Sequence, residues 1–118
     1  AEVRRRIGQD VFREALFELW EGRCAITGLA LPSALLRASH AKPWAEASDQ
    51  ERLDPFNGLL LAVHLDALFD SGLMVVTDEG QVLISPEITT DVRANWSLHD
   101  ELRVRRLLPG HLPYLQFQ

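Results

Sequence analysis

The stretch from Phe56 to Ser85 constrains the fold more than any other part of the chain. "FNGLLLAV" is an unbroken apolar run, and "HLDALFDSG" follows with the spacing of a short helix that Gly72 can end. "LMVVTDEGQVLIS" then sets two β-rich runs around Asp-Glu-Gly. That is a hairpin signal, with Gly80 free to take the positive φ such a turn requires.

Around this core, apolar residues at Ile7, Val11, Phe12, Ala15, Leu16, Leu19 and Trp20 recur at steps of three and four. They predict one helical face, with Gly22 as its stop. "CAITG" is predicted as a short strand ending at Gly28, and "SALLRAS" as a second strand after Pro32. Residues 41–55 are polar and hold two prolines, which predicts a long loop. In the tail, a helix is predicted near Asp91 to Trp96, a short strand around Leu102 to Leu107, and irregular chain at "PGHLPY". The order is helix, two strands, loop, short helix, hairpin, tail, and the predicted class is α+β.

A chain of 118 residues suits one domain with one modest core. It opens at Ala1 already in a helical pattern, so it is expected to be excised from a larger chain with another module upstream. No apolar run is long enough to span a bilayer. A single cysteine, Cys24, can form neither an internal disulfide nor a multi-cysteine zinc site, so a reducing, cytoplasmic interior is expected. The net charge of −5 argues against coating nucleic acid through bulk electrostatics. Arg4 to Arg6, and Arg103, Arg105 and Arg106, nevertheless form two basic clusters.

The chemistry-bearing residues lie between these landmarks. His40 sits in "RASHAKPW", Asn57 follows seventeen residues later, Asp66 nine after that, and His64 just before Asp66. Phosphodiester hydrolysis needs a base for water, a group that orients the base, and a cation that offsets charge on the phosphate. Histidine, with a reference pKa of ~6.5, is largely neutral near pH 7 and can be that base. A carboxylate suits a hard divalent cation.

These motifs together resemble the HNH endonucleases of ββα-metal fold. The matching pieces are "CAITG", "RASHAKPW", "DPFNGLLLAVHLDALFDSGL" and the hairpin after them, over roughly residues 24–85. They look most similar to a subgroup with Ser-His-x-Lys-Pro-Trp and Asn-Gly-Leu…Asp-x-Leu-Phe-Asp motifs. The resemblance implies a single HNH nuclease domain over residues 1–118, with a ββα core between an N-terminal helix and the hairpin. It makes His40 the general base and Asn57 the residue that steadies the loop bearing it. In the commoner version of the family the metal-binding histidine lies nine residues after the asparagine. That register falls on Asp66, expected as principal ligand, with His64 as a second. If one helix holds both, they lie about 200° apart around its axis, which favours Asp66 alone. Ser39 stands where many members have a metal-ligating Asp or His, and the paired zinc cysteines of some members are absent.

The implied activity is metal-dependent hydrolysis of DNA phosphodiesters, with magnesium or manganese as cofactor and nickel or zinc admitted by a histidine ligand. The setting expected by analogy is the cleavage module of a restriction-type enzyme, with a separate upstream domain choosing the target. Lys42, Arg103 and Arg105 are the candidate phosphate contacts, against the alternative of a solvated face. The rival functions are a catalytically inactive nucleic-acid-binding module of the same fold, and a small interaction domain with incidental histidines. Other residues have plainer expectations. Asp70 is expected to cap or pair structurally, and Trp44, Phe56 and Phe69 to pack around the loop. Cys24 is expected as a buried small hydrophobe, and His99 and His111 on the surface.

Overall fold

The computed structural model describes residues 2–118. It opens with α1 (Glu2–Leu19), whose buried line runs through Phe12 and Leu16 to Trp20 just beyond it. Ile7 and Val11, expected on that face, stay 58% and 46% exposed. The contact line passes through Gly8 instead, where an added Cβ would meet the Trp44 ring at 3.2 Å. Gly22, at φ +68°, turns the chain out of the helix as expected.

"CAITG" is not a strand. The Gly28 N–H bonds back to the Cys24 carbonyl at 2.9 Å and closes a tight turn over residues 25–27. The Cys24 thiol is buried, as expected, and its Sγ also lies within hydrogen-bond distance of the Ala62 and Thr27 N–H groups, at 3.4 and 3.5 Å. A lone sulfur thereby holds this turn against the strand that ends at Ala62. In "SALLRAS", Ser33–Leu35 forms one 3-10 turn, and the strand β1 occupies Leu36–His40.

The partner of β1 is the apolar run: β2 (Gly58–Ala62) pairs with it antiparallel, Leu36 opposite Ala62 and His40 opposite Gly58. The helix α3 (Val63–Asp70) follows without a linker and packs on both strands. This strand–strand–helix unit spans Leu36 to Asp70. Successive residues of a strand point to opposite faces. Ser39 bonds to Asp66 on α3, whereas His40 stacks on Phe12 of α1. The two helices therefore sandwich the ribbon, which is why every residue of β2 is buried. Each fully buried leucine there (Leu59, Leu60, Leu61) contributes about 1.5–3 kcal/mol relative to exposure.

The connection from β1 to β2 is more ordered than its composition predicts. It holds a 3-10 turn at Trp44–Glu46 and a short helix α2 (Asp49–Leu53). A capping box starts α2, with Glu51 N–H donating to Ser48 Oγ at 3.1 Å and Ser48 N–H donating to Glu51 Oε1 at 2.8 Å. Ser-x-x-Glu was the readable signal.

Beyond α3, β3 (Met74–Val76) and β4 (Val82–Ile84) form the predicted hairpin, with Gly80 at φ +86°. α4 (Thr90–Asn95) matches the helix predicted near Asp91 to Trp96. The strand predicted at Leu102–Leu107 shrinks to one bridge, Gln81 opposite Arg103, flanked by two more backbone bonds to β4 and Gly80. From there Arg105 N–H reaches the Ala25 carbonyl and Ala25 N–H reaches Leu60, so the tail ties one hairpin to the other.

"PGHLPY" folds into a 3-10 turn, Pro109–His111, and the short helix α5 (Leu112–Leu115). His111, expected on the surface, is fully buried between the Trp20 and Phe56 rings, and its Nδ1 accepts the Leu108 N–H at 3.0 Å. Local turn formation draws the ring inward. His99 is exposed, as expected.

Candidate active site

His40 ends β1, and its position depends on the residue across the ribbon. A Cβ at Gly58 would lie 2.1 Å from the Ser39 carbonyl oxygen and 2.8 Å from Phe12 Cζ. Only glycine lets the two strands and Phe12 close up together. The His40 ring then stacks on Phe12 with centroids 3.7 Å apart, and meets the Trp44 ring edge-on at 5.7 Å. Its Nε2 lies 3.1 Å from the Arg52 carbonyl of α2. A carbonyl only accepts, so Nε2 carries the hydrogen. Burial lowers the His40 pKa, outweighing the carbonyl bond, which raises it, and the Arg52 charge lowers it further. The ring is neutral near pH 7, and Nδ1 is the nitrogen with a free lone pair.

The loop that carries Arg52 is held by Asn57, which is fully buried. Asn57 Oδ1 accepts the Lys42 N–H at 2.7 Å, and Nδ2 donates to the Glu51 carbonyl at 3.0 Å and to that of Lys42 at 3.4 Å. One amide thus joins the start of the connection to α2.

A cleft of about 440 Å³ opens where β1 ends. His40, Ser39, Asp66 and Asp70 border it. Ser39 Oγ donates to Asp66 Oδ1 at 2.5 Å. Asp70, one helical turn beyond Asp66, brings a second carboxylate to the same cleft rather than serving only as a cap. The i, i+4 spacing was the signal for it. Among the described residues no three His, Cys, Asp or Glu side chains group closely enough to form a closed metal cage.

The other nominated residues lie elsewhere. α3 begins at Val63, so His64 and Asp66 share a helix and diverge around it. His64 borders a second cleft, with Arg103 and Arg105, that has no lining residue in common with the first. His64, expected as a second ligand beside Asp66, thus borders a different cleft from Asp66. Lys42, half-buried, bonds through Nζ to both Glu51 oxygens at 3.0 Å and stands 4.4 Å from the Phe117 ring centroid. Its charge is matched within the domain by Glu51. Arg103 and Arg105 are both exposed, as a phosphate contact needs.

The antiparallel pair β1–β2 followed directly by α3 is consistent with the ββα core of an HNH domain. Residues 24–77 match the family model described as HNH endonuclease, a match that supports the HNH family for this segment. No curated protein matches the sequence. Proteins of that family are nucleases that act on DNA and generally use a divalent metal.

Proposed function

We propose that this chain is an endonuclease that hydrolyses DNA phosphodiester bonds with His40 Nδ1 as the general base. The observation that carries the reading is the Nε2 bond to the Arg52 carbonyl in a ring that burial keeps neutral. It assigns the tautomer and leaves Nδ1 to take the proton of water. Phe12 and Trp44 hold the ring, and Asn57 holds the connection that supplies the Arg52 carbonyl. Asn57 acts as a positioning residue. On protonation the ring becomes an imidazolium, which α2's carbonyl stabilises at Nε2 until the proton returns to solvent.

The donor set fits a hard divalent cation. Asp66, Asp70 and the Ser39 hydroxyl offer only oxygen, and His40 is the one histidine bordering the cleft among the described residues. Asp66 would hold the ion, with Asp70 beside it and Ser39 orienting the Asp66 carboxylate; magnesium or manganese suits these oxygens better than nickel or zinc. Such an ion would offset the charge that builds on the phosphate and the leaving oxygen. Because His40 faces α1 and Ser39 faces α3, base and ion-holding group are separate devices. The proposed setting is the cytoplasm, in a restriction-type enzyme whose other domain selects the target, by family analogy.

The test is plasmid cleavage across magnesium, manganese and EDTA, by the parent and His40→Ala. The substitution should lower the rate ~10²- to 10⁴-fold while manganese affinity and DNA affinity hold. Cleavage at the parental rate would remove the base from the reading. Metal affinity collapsing with cleavage would make His40 a ligand. DNA binding without any metal-dependent cleavage by the parent would favour the inactive binding module.

A further inference from the structure

The second cleft, of about 420 Å³, is built unlike the first. Its apolar lining includes the buried Ile26, Leu65 and Leu98 and the exposed Leu29. At its border Trp96 is 43% exposed, and the His64 ring meets it edge-to-face with centroids 5.7 Å apart. Part of the indole is thereby left open to solvent beside the cleft.

The chain spends backbone strain on presenting it. Trp96 N–H closes on the Val92 carbonyl at 2.8 Å, and Leu98 N–H reaches back to the Arg93 carbonyl, also at 2.8 Å. These bonds end α4 in the C-terminal turn that requires a left-handed residue. That residue is Ser97, at φ +55°, where glycine would be unstrained. The turn buries Leu98 and leaves Trp96 on the outside.

Cationic side chains continue from this aromatic pair. Arg103 and Arg105 border the cleft, and Arg105 also borders an adjoining one with Arg23 and Arg106. Four arginines thus follow one another on a protein of net charge −5. Glu101 and Glu21 are the carboxylates beside them. A ligand that suits this surface has a flat π-face for Trp96 and a negative charge for the arginines.

The geometry points to a nucleotide subsite: an unpaired base of a nucleic-acid strand stacks at Trp96 and His64, and its backbone phosphates run along Arg103, Arg105, Arg106 and Arg23. The inference rests on the nuclease reading for its choice of nucleic acid, and it adds a feature apart from the cleavage cleft. A subsite for an unpaired base implies that the domain prefers strands that are single, frayed or locally opened over continuous duplex.

The test is anisotropy binding, in EDTA, of a labelled eight-residue thymidine strand and of the same length of abasic strand. Base stacking should make the parent prefer the base-bearing strand by about fivefold to a hundredfold. Trp96→Ala should lower that strand to the abasic level, while Trp96→Phe retains part of the preference. The paired substitution Arg103→Ala, Arg105→Ala should weaken both strands alike and reduce the salt slope by about 0.7 per lost phosphate contact. Equal binding of the two strands by the parent, no binding of either, or a preference that survives Trp96→Ala would overturn the subsite. Plasmid cleavage, scored separately, tells the two readings apart. A parent that cuts without base preference loses only the subsite, and one that shows base preference without cutting loses only the nuclease.

Discussion

Asn57 should be the costliest polar residue to replace. Asn57→Ala removes two well-formed bonds, at 2.7 and 3.0 Å, and leaves the Lys42 N–H and the Glu51 carbonyl facing a void in a site with no solvent exposure. Each lost bond is worth about 1–1.5 kcal/mol net, and the void and unpaired groups add to this, so the total is about 3–4 kcal/mol. For a domain this size that is a fall in Tm of roughly 10–15 °C. Asn57→Asp keeps the acceptor for Lys42 but turns an anion toward the Glu51 carbonyl. Its deficit should narrow at low pH, where the introduced carboxyl gains a proton and can donate. Urea unfolding followed by tryptophan fluorescence gives the energies. A histidine NMR titration gives the second readout: with α2 loosened, the His40 pKa should rise back toward 6.5. A loss under about 1 kcal/mol with an unmoved His40 titration would refute the idea that this amide secures the base.

Asp66→Ala should abolish manganese binding by calorimetry, Asp70→Ala should weaken it less, and Ser39→Ala should cost ~10- to 100-fold as an orienting partner. His64→Ala should leave it unchanged, and a collapse there instead would move the ion to the second cleft. The cleavage rate should hold until the pH drops below 6.5, because burial lowers the His40 pKa; an acid limb centred above 6.5 would contradict a neutral, buried ring. His40, His64 and His111 all have pKa values lowered by burial, so below 6.5 the unfolded chain binds protons that the folded chain refuses. Stability should therefore rise with pH up to about 6.5 and level off above it, which unfolding at a series of pH values would check. Ser97→Gly should relieve the left-handed turn and add about 0.5–1 kcal/mol, less than the full strain because glycine also loosens the unfolded chain.

Where the sequence carried a periodic or stereochemical signal, the fold could be read from it. The helix before Gly22, the short helix before Gly72 and the hairpin at Gly80 all rest on spacings or on glycine's access to positive φ. The connection from Ala41 to Pro55 was misread because its order comes from a cap, an ion pair and a buried amide, none of which has a period. "CAITG" has strand composition, yet a single return bond from Gly28 to Cys24 outweighs that weak preference. At the site, the sequence supplied His40, Asn57 and Asp66 as residue types. It could not supply the Arg52 carbonyl, because backbone atoms leave no trace in composition. Nor could it show which residues share a cleft: His64 is closer in sequence to Asp66 than Asp70 is, yet borders a different cleft.

Phe12 makes the reach of the motif differ from the reach of its chemistry. The ring against which His40 stacks lies outside the 24–77 segment that carries the family pattern, on a helix whose Phe12 and Leu16 are fully buried. The segment is therefore not a portable cassette. Grafted elsewhere without α1, it would keep the histidine and the carboxylates but lose the wall that sets the imidazole's angle and half of the cover over β2. A fragment starting at Arg23 is expected to unfold without a cooperative transition in calorimetry, and a two-state melt from it would show that the wall is dispensable. Any contact that shifts α1 by even part of a helical turn would change the angle of the His40 ring without touching the Asp66 side of the cleft.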